Sequence, residues 1–428
     1  MPKKPVNENY AATVVEIKYL IPIANCDNVQ HANIFGNLVV VSKETKIGDI
    51  GLFFPIESQL STEFLSNNSL YRDANLNTDK TKKGYFELNG RIRAVKFRQN
   101  PSMGFFIPLS SLDFTGGTEN LKIGDTFDEL NNIPICRKYI VVRKNTQGTP
   151  GVNKNKNKSI LVDNQFRLHV DTSQLGKNMH CITPDSLIHI SYKLHGTSFI
   201  SSKVLCKRKL SVWNKIGKKL KFDVIDTEYR NIFSSRRVIK NESDEQINPF
   251  SLNTDIWCVA NNEIKDFLHD GMTVYGEIIG YLPSGLLIQS GYDYGCNVGE
   301  HKIAIYRITY TNHSGHVIEF SAKQVQNWCA ENGFMAVPEL FYGKAKELID
   351  DAFLTEEGFR FVFLEKLKQL YLEQKCYMCI QDVPAEGIVV RLEDKNAIDV
   401  YKYKSLAFYE FETKQLDKGE EDIESENS

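Results

Sequence analysis

The chain has no apolar run near the ~20 residues that a membrane-crossing helix needs, and this excludes a helical membrane span. Its opening, Met1-Pro2-Lys3-Lys4-Pro5, leads into polar residues and lacks the apolar core of a secretory leader. The expected location is cytoplasmic or nucleoplasmic; the protein is not expected to be secreted. Paired cysteines are scarce: the nine are scattered singly, apart from Cys376 and Cys379. A structural zinc site wants two such pairs, or one pair with histidines at metal spacing, and neither is present. Reduced thiols are the expectation. No Gly-x4-Gly-Lys-(Ser/Thr) loop occurs, so there is no P-loop phosphate cradle. Charge of one sign is missing too, since the formal net charge is −2. It is unevenly placed, however. Residues 410–428 hold eight acidic and two basic residues, a net −6 that leaves the remainder at +4. Global charge therefore does not announce a nucleic-acid binder, and local patches must carry any such contact. The acidic stretch 410–428 is expected to be a disordered tail.

What is present suffices for two or three domains, with 428 residues that are 42% hydrophobic. Residues 1–143 read as β throughout. Val14–Ile17, Gly36–Val41 and Gly51–Phe54 alternate or run apolar between Gly, Asn and Asp turns, the pattern of a small barrel. In Gly90–Pro108, the cations Arg91, Arg93, Lys96 and Arg98 alternate and are followed by Phe105 and Phe106. Cations that track a backbone beside aromatics that stack on bases suit single-stranded RNA, and these four are the candidate RNA contacts. Residues 144–158, with Gly148, Pro150 and Gly151 among lysines and asparagines, read as a linker. The second domain spans 159–409. Its basic segment from Lys207 to Lys221 carries Trp213 and spacing suited to an amphipathic helix; it is a second candidate for phosphate contact.

The chemistry-bearing residues of the second domain stand at the ends of predicted strands. Lys193 closes the run Leu187–Tyr192 and precedes a turn at Gly196; burial and nearby cations can lower a lysine pKa and free an amine to attack. Glu277 sits in the apolar run Met272–Ile279, where a carboxylate needs a partner. Tyr306 lies in Ile303–Tyr310, Glu386 and Arg391 bracket Gly387–Val390, and Lys402 and Lys404 share a strand face. Arg236, after Ser234 and Ser235, can grip phosphate. Helices are predicted over 322–332, 344–353 and 356–374. An amine, two carboxylates, an aromatic and a set of cations are the parts needed for amine attack on a nucleotide α-phosphate.

In that order the blocks Lys193-x-x-Gly196, Gly276-Glu277, Tyr306, Glu386-Gly-x-Val-Val-Arg391 and Lys402-x-Lys404 resemble the covalent nucleotidyltransferases, the ATP-dependent ligases and mRNA capping enzymes. The resemblance covers residues 187–405, with Ser234–Arg236 similar to a further motif. A β-rich domain in front, with no second one behind, is similar to the Deinococcus-type RNA ligases. The resemblance implies an α+β protein: an N-terminal oligonucleotide-binding (OB) barrel, then a nucleotidyltransferase domain of antiparallel sheets with flanking helices. It implies Lys193 as the AMP acceptor, Glu386, Lys402, Lys404 and Arg236 as its catalytic companions, and His195, Gly196, Glu277, Tyr306 and Arg391 around the nucleotide. ATP and Mg²⁺ or Mn²⁺ are the implied cofactors, the metal held through Glu386 and, by way of water, His195. The implied partner is RNA with 3′-OH and 5′-phosphate ends, prepared by a separate end-healing enzyme. Two positions depart from the pattern: His195 stands in place of the usual aspartate, and Tyr192 where many relatives carry glutamate. A non-catalytic RNA-binding protein with a decayed site and a DNA nick-sealing enzyme remain as alternatives.

Overall fold

A computed structural model describes residues 2–97, 99–141, 159–169, 171–241, 254–349, 355–394 and 399–419. The 144–158 linker and Arg98 lie outside the described residues. The N-terminal part is β-rich, as its turn spacing predicts. Ala12–Glu16 pairs with both Thr126–Phe127 and Ile50–Phe54, and Ile50–Phe54 pairs in turn with Phe105–Pro108. A three-stranded sheet of Leu20–Pro22, Val29–Ile34 and Asn37–Ser42 stands beside it. Phe53, Phe54, Phe64 and Phe127 are fully buried and form part of this domain's core, whereas Phe105 and Phe106 are half-buried.

The second part is built on two sheets. One has the order Ser173–Gln174, Val400–Lys404, Gly387–Leu392, Leu187–Lys193, Glu339–Lys344. The other runs Thr227–Ser234, Thr197–Lys207, Met272–Gly280, His301–Thr311, Val317–Glu319, with Met335–Ala336 paired to His301–Thr311. In the first sheet the two-residue period divides the labour. Ile188, Ile190, Ile388, Val390, Tyr401 and Tyr403 turn into a core closed by the helix Glu356–Tyr371. The opposite face carries Lys193 across from Gly387, Gly387 across from Lys404, and Val389 across from Lys402. The second sheet buries Phe199, Val274, Ile278 and Ile305 against Ile256–Ile264 and Ala322–Asn332. Ser321 caps the latter helix through a reciprocal capping box with Gln324.

Two expectations are corrected. The helix predicted over 344–353 is corrected over its described residues, 344–349: Lys344 ends a strand opposite Leu187 and a short 3₁₀ turn, Ala345–Leu348, follows, while 350–353 lie outside the described residues. Pairing to a long central strand overrides the local helical pattern there. The acidic tail begins as structure, not disorder. Residues Leu406–Asp417 form a helix, capped by Ser405, with Phe408 and Thr413 buried. Its neighbours Leu406 and Tyr409 pack on Ile56, Ala94 and Met103 of the N-terminal domain.

That helix also accounts for the basic run of the N-terminal domain. Arg91 is buried and grips Glu57 with two hydrogen bonds, 2.9 Å from Nε and 2.8 Å from Nη2, while Nη1 reaches Asp417 at 2.8 Å. Arg93 meets Asp417 at 3.5 Å and Lys96 meets Glu410 at 2.8 Å. The expected RNA contact by Arg91 is therefore corrected: its side chain is buried against Glu57 and reaches Asp417 of the C-terminal helix, whereas Arg93 and Lys96 keep exposed side chains beside their acidic partners. Alternation sets Arg91 and Arg93 on one side of an extended chain but says nothing of what covers it.

Candidate active site

Lys193 ends its strand with the amine aimed at a buried acid. Its Nζ lies 2.8 Å from Glu386 Oε1, and Lys404 Nζ reaches the same oxygen at 3.2 Å. His195 Nδ1 is 3.9 Å from the other oxygen, Oε2. Burial opposes the charge on Glu386, but Lys193, Lys404 and His195 outweigh it and hold its pKa down to about 2. The Lys193 amine is thus held in an ion pair with a buried carboxylate.

The lysines on the neighbouring strand behave differently from each other. Burial alone would discharge Lys404, but Glu412 and Glu386 keep it well above the ordinary lysine value. Glu412, from the C-terminal helix, stands 3.3 Å from its amine. Lys402 lacks so close an acid: burial, with Lys404 and Lys193 nearby, pushes it down to about 7. Arg236 pairs with Asp171 and faces the same group.

Two glycines are there because the chain comes too close for a side chain. A Cβ on Gly196 would lie 2.3 Å from Ile278 O and 2.8 Å from Glu277 Cγ, which also places Glu277 beside the turn that follows Lys193. Gly387 has φ +144°, and a Cβ there would stand 2.1 Å from Tyr403 O. Glu386 thus enters its strand at the closest approach to the Lys402–Lys404 strand.

His195 is neutral, since burial pushes its pKa down to about 4. Its ring is edge-on to Tyr292 and Phe408, 5.0 Å from each, and its backbone N–H donates to Tyr294 Oη at 2.6 Å. Tyr306 exchanges a hydrogen bond of 3.2 Å with His169 Nδ1. Arg391 is elsewhere: it pairs with Glu393 at 2.5 Å and donates to Phe320 O. It lies four residues along its strand from Gly387, about 13 Å at the usual rise, so the structure does not bring it to Lys193.

Sequence reasoning missed His169, Asp171 and Glu412. His169 and Asp171 sit just before the short strand Ser173–Gln174, which pairs in parallel with Tyr401–Lys402. Burial, with Arg236 next, pushes His169 down to about 4. Glu412 was counted within the tail. None of the three lies in a periodic run, and the only available signal was a carboxylate or imidazole near apolar residues.

An oxygen-loving cation suits this chemistry. Glu386 Oε2 is buried without a hydrogen bond, and Mg²⁺ prefers oxygen ligands, keeps several waters and takes substrate phosphates as partners. Among the described residues no three His, Cys, Asp or Glu side chains converge on one metal position.

Residues 187–404 match the RNA ligase family, and residues 11–109 match an OB-fold domain. No curated protein matches the chain. Among solved structures, the chain is similar to apo and pyrophosphate-bound forms of a Naegleria gruberi RNA ligase. The apo form, a point variant, aligns with a TM-score of 0.57 at 15% identity, covering 96% of this chain and 100% of that one. The pyrophosphate form aligns with a TM-score of 0.56 at 16% identity, covering 96% and 100%. A variant of the same enzyme with AMP and Mn aligns with a TM-score of 0.55 at 16% identity, covering 94% and 98%. These likenesses extend across both domains of the fold.

Proposed function

The chain belongs to the RNA ligase family, and from that premise we propose that it joins RNA 3′-OH and 5′-phosphate ends at the expense of ATP, through AMP carried on Lys193. The observation that supports this most is the convergence of Lys193 and Lys404, from two strands, on one carboxylate oxygen of Glu386, which immediately precedes the strand between them. The Lys193 amine attacks the α-phosphorus of ATP; a phosphorus–nitrogen bond forms as pyrophosphate leaves, and the amine gives up a proton. An RNA 5′-phosphate oxygen then displaces Lys193 from AMP. Last, a 3′-OH attacks that activated end, releases AMP and leaves a phosphodiester. Lys402, Lys404 and Arg236 face the phosphates, spread the charge of the in-line transition state and are worth most where water is excluded. A bound Mg²⁺ or Mn²⁺ would neutralise phosphate charge, with Glu386 and Glu277 as its protein-side oxygens. Tyr306 and His195 line the nucleotide side. The front domain and the absence of a P-loop fit a Deinococcus-type ligase that depends on a separate enzyme to prepare its ends.

Incubation with ATP labelled at the α-phosphate and a divalent metal tests the reading. A labelled protein band is expected that is lost in Lys193→Ala. A wild-type protein that stays unlabelled from pH 6 to 9 would favour the non-catalytic RNA binder. Preferential sealing of a nick with a DNA 3′-OH strand would favour a DNA ligase.

With Arg91 buried in an ion pair and Arg93 and Lys96 beside acidic side chains, we place RNA on the basic helix Val212–Lys219. Trp213 is 81% exposed at its start, among the exposed cations Lys207, Lys215, Lys219 and Lys221. Base stacking on an aromatic is worth ~1–3 kcal/mol, so Trp213→Ala should weaken RNA binding roughly tenfold. Trp257 and Trp328, the other two of the three tryptophans, are buried, so RNA should quench mainly Trp213 emission. An unquenched signal on saturation with RNA would rule this surface out.

A further inference from the structure

The loop leading into the Glu386 strand holds a pair of groups that ligation does not use. Cys376 and Cys379 fold into a turn in which Cys379 N–H donates to Cys376 O at 3.3 Å, and their sulfurs stand 3.1 Å apart. Cys376 is buried and Cys379 half-buried. The turn is held firmly: Cys376 N–H donates to Val383 O at 2.9 Å, and Ala385 N–H to Gln374 O at 2.8 Å. The amides of Ile380 and Gln381 donate to the Asp293 carboxylate at 3.0 and 3.1 Å. A hydrogen bond from the Cys379 thiol, aided by the Met378 and Cys379 amides, outweighs burial and brings the Cys376 thiol down to about 7. Cys379 correspondingly keeps its proton. A thiolate is the reactive form of cysteine, and two thiols spaced this way are the arrangement of a dithiol redox couple. Metal binding by the pair finds no further ligands, because no cluster of three His, Cys, Asp or Glu occurs among the described residues.

The position matters as much as the chemistry. Cys376 packs in one cluster with Tyr192 and Ala385, the residues immediately before Lys193 and Glu386. Tyr292 Oη donates to Pro384 O at 2.7 Å and its ring meets His195, so the loop also touches the wall behind the histidine.

We propose that Cys376 and Cys379 are a reversible dithiol–disulfide site, oxidised by peroxide, whose closure shifts Glu386 and slows AMP loading on Lys193. Peroxide takes an electron pair from the Cys376 thiolate, giving a sulfenic acid and, after proton transfer, one water. The Cys379 thiol attacks that sulfur; a sulfur–sulfur bond forms and the second water leaves. Two thiols and one peroxide thus become one disulfide and two waters, and an added thiol reverses the step. The link to AMP loading rests on the ligase reading; disulfide formation does not.

The full-length protein is treated with hydrogen peroxide, alkylated and digested. The peptide with Cys376 and Cys379 should resist alkylation, weigh two hydrogens less than its reduced form, and return to it under dithiothreitol. In Cys379→Ser a sulfenic acid should persist at Cys376 and be trapped by a cyclic dione; in Cys376→Ser the trap should find nothing at residue 379. AMP loading should be at least threefold slower in the oxidised protein and recover under thiol. Full alkylation of both cysteines after peroxide overturns the site. A disulfide that leaves loading unchanged overturns its coupling to Glu386. If neither form loads AMP, the ligase reading fails and the thiol result stands on its own.

Discussion

Glu386→Gln should reduce AMP loading roughly a hundredfold or more, the scale at which loss of near-attack positioning is felt. The carboxylate is the shared anchor of Lys193 and Lys404, at 2.8 and 3.2 Å. A glutamine keeps the volume and one oxygen but lacks the charge that holds two ammonium groups together in a buried place. Lys404 retains Glu412, 3.3 Å away, whereas the Lys193 amine loses its acid. The variant should also be less stable. Breaking a buried ion pair from one side costs ~3–5 kcal/mol, and the surviving Glu412 contact sets the expectation at about 3 kcal/mol. The pH dependence gives the sign. Because the folded-state pKa of Glu386 is lowered from 4.5 to about 2, its contribution is fully present above pH ~4.5 and fades as pH falls towards 2. The stability gap between wild type and Glu386→Gln should therefore be widest near neutrality and narrow in acid. Denaturant titrations at pH 7 and pH 3.5 measure it, and single-turnover AMP labelling measures the rate. A folded Glu386→Gln protein that loads AMP at the wild-type rate would remove Glu386 from the site.

What the sequence made legible was motif order, through its resemblance to a known family, and whatever strand period carries. Lys193, Glu386, Lys402 and Lys404 could be assembled on paper because the order of their blocks resembles the covalent nucleotidyltransferases; strand period adds that Lys402 and Lys404 share a face. Register then does the rest, setting Lys193 opposite Gly387 and Gly387 opposite Lys404. Period says which residues share a face but nothing about what covers that face. Arg91, Arg93 and Lys96 read as an exposed nucleic-acid stripe for this reason, though their partners, Asp417 for the arginines and Glu410 for Lys96, lie more than 300 residues away in sequence. The same gap concealed the C-terminal helix. Its acidic composition suggested a solvated tail, yet Glu410, Glu412 and Asp417 each meet a cation presented by another part of the fold. His169, Asp171 and Glu412 were out of reach because aperiodic segments and tertiary docking place them. Arg391 shows the converse: a residue inside a motif block can be satisfied locally, here by Glu393.

ATP binding should take up a proton at pH 8, and Lys402 should be its acceptor. In the free protein burial and the charges of Lys404 and Lys193 push Lys402 down to about 7, so at pH 8 it is largely neutral. A bound triphosphate reverses the balance, since anionic oxygens beside the amine favour its charged form. Calorimetric titration in two buffers of different ionisation heat should report uptake approaching one proton at pH 8 and much less at pH 6, where Lys402 is already charged. By linkage, ATP affinity should fall as pH rises above about 7, by up to tenfold per unit while the proton must be bought from solution. For folding the sign is also fixed. A lysine with a lowered folded-state pKa weakens the native state most below pH 7, and the penalty shrinks as pH climbs towards its ordinary value. Lys402→Met should thus bind ATP more weakly at pH 6.5, lose the proton uptake at pH 8, and be the more stable protein in ligand-free form at pH 6. Lys404→Met should behave oppositely in the last respect, because Glu386 and Glu412 keep Lys404 charged and its removal leaves the half-buried Glu412 without its cation and the buried Glu386 with Lys193. Equal proton uptake by wild type and Lys402→Met would assign the titration to another group and leave Lys402 as one more fixed cation.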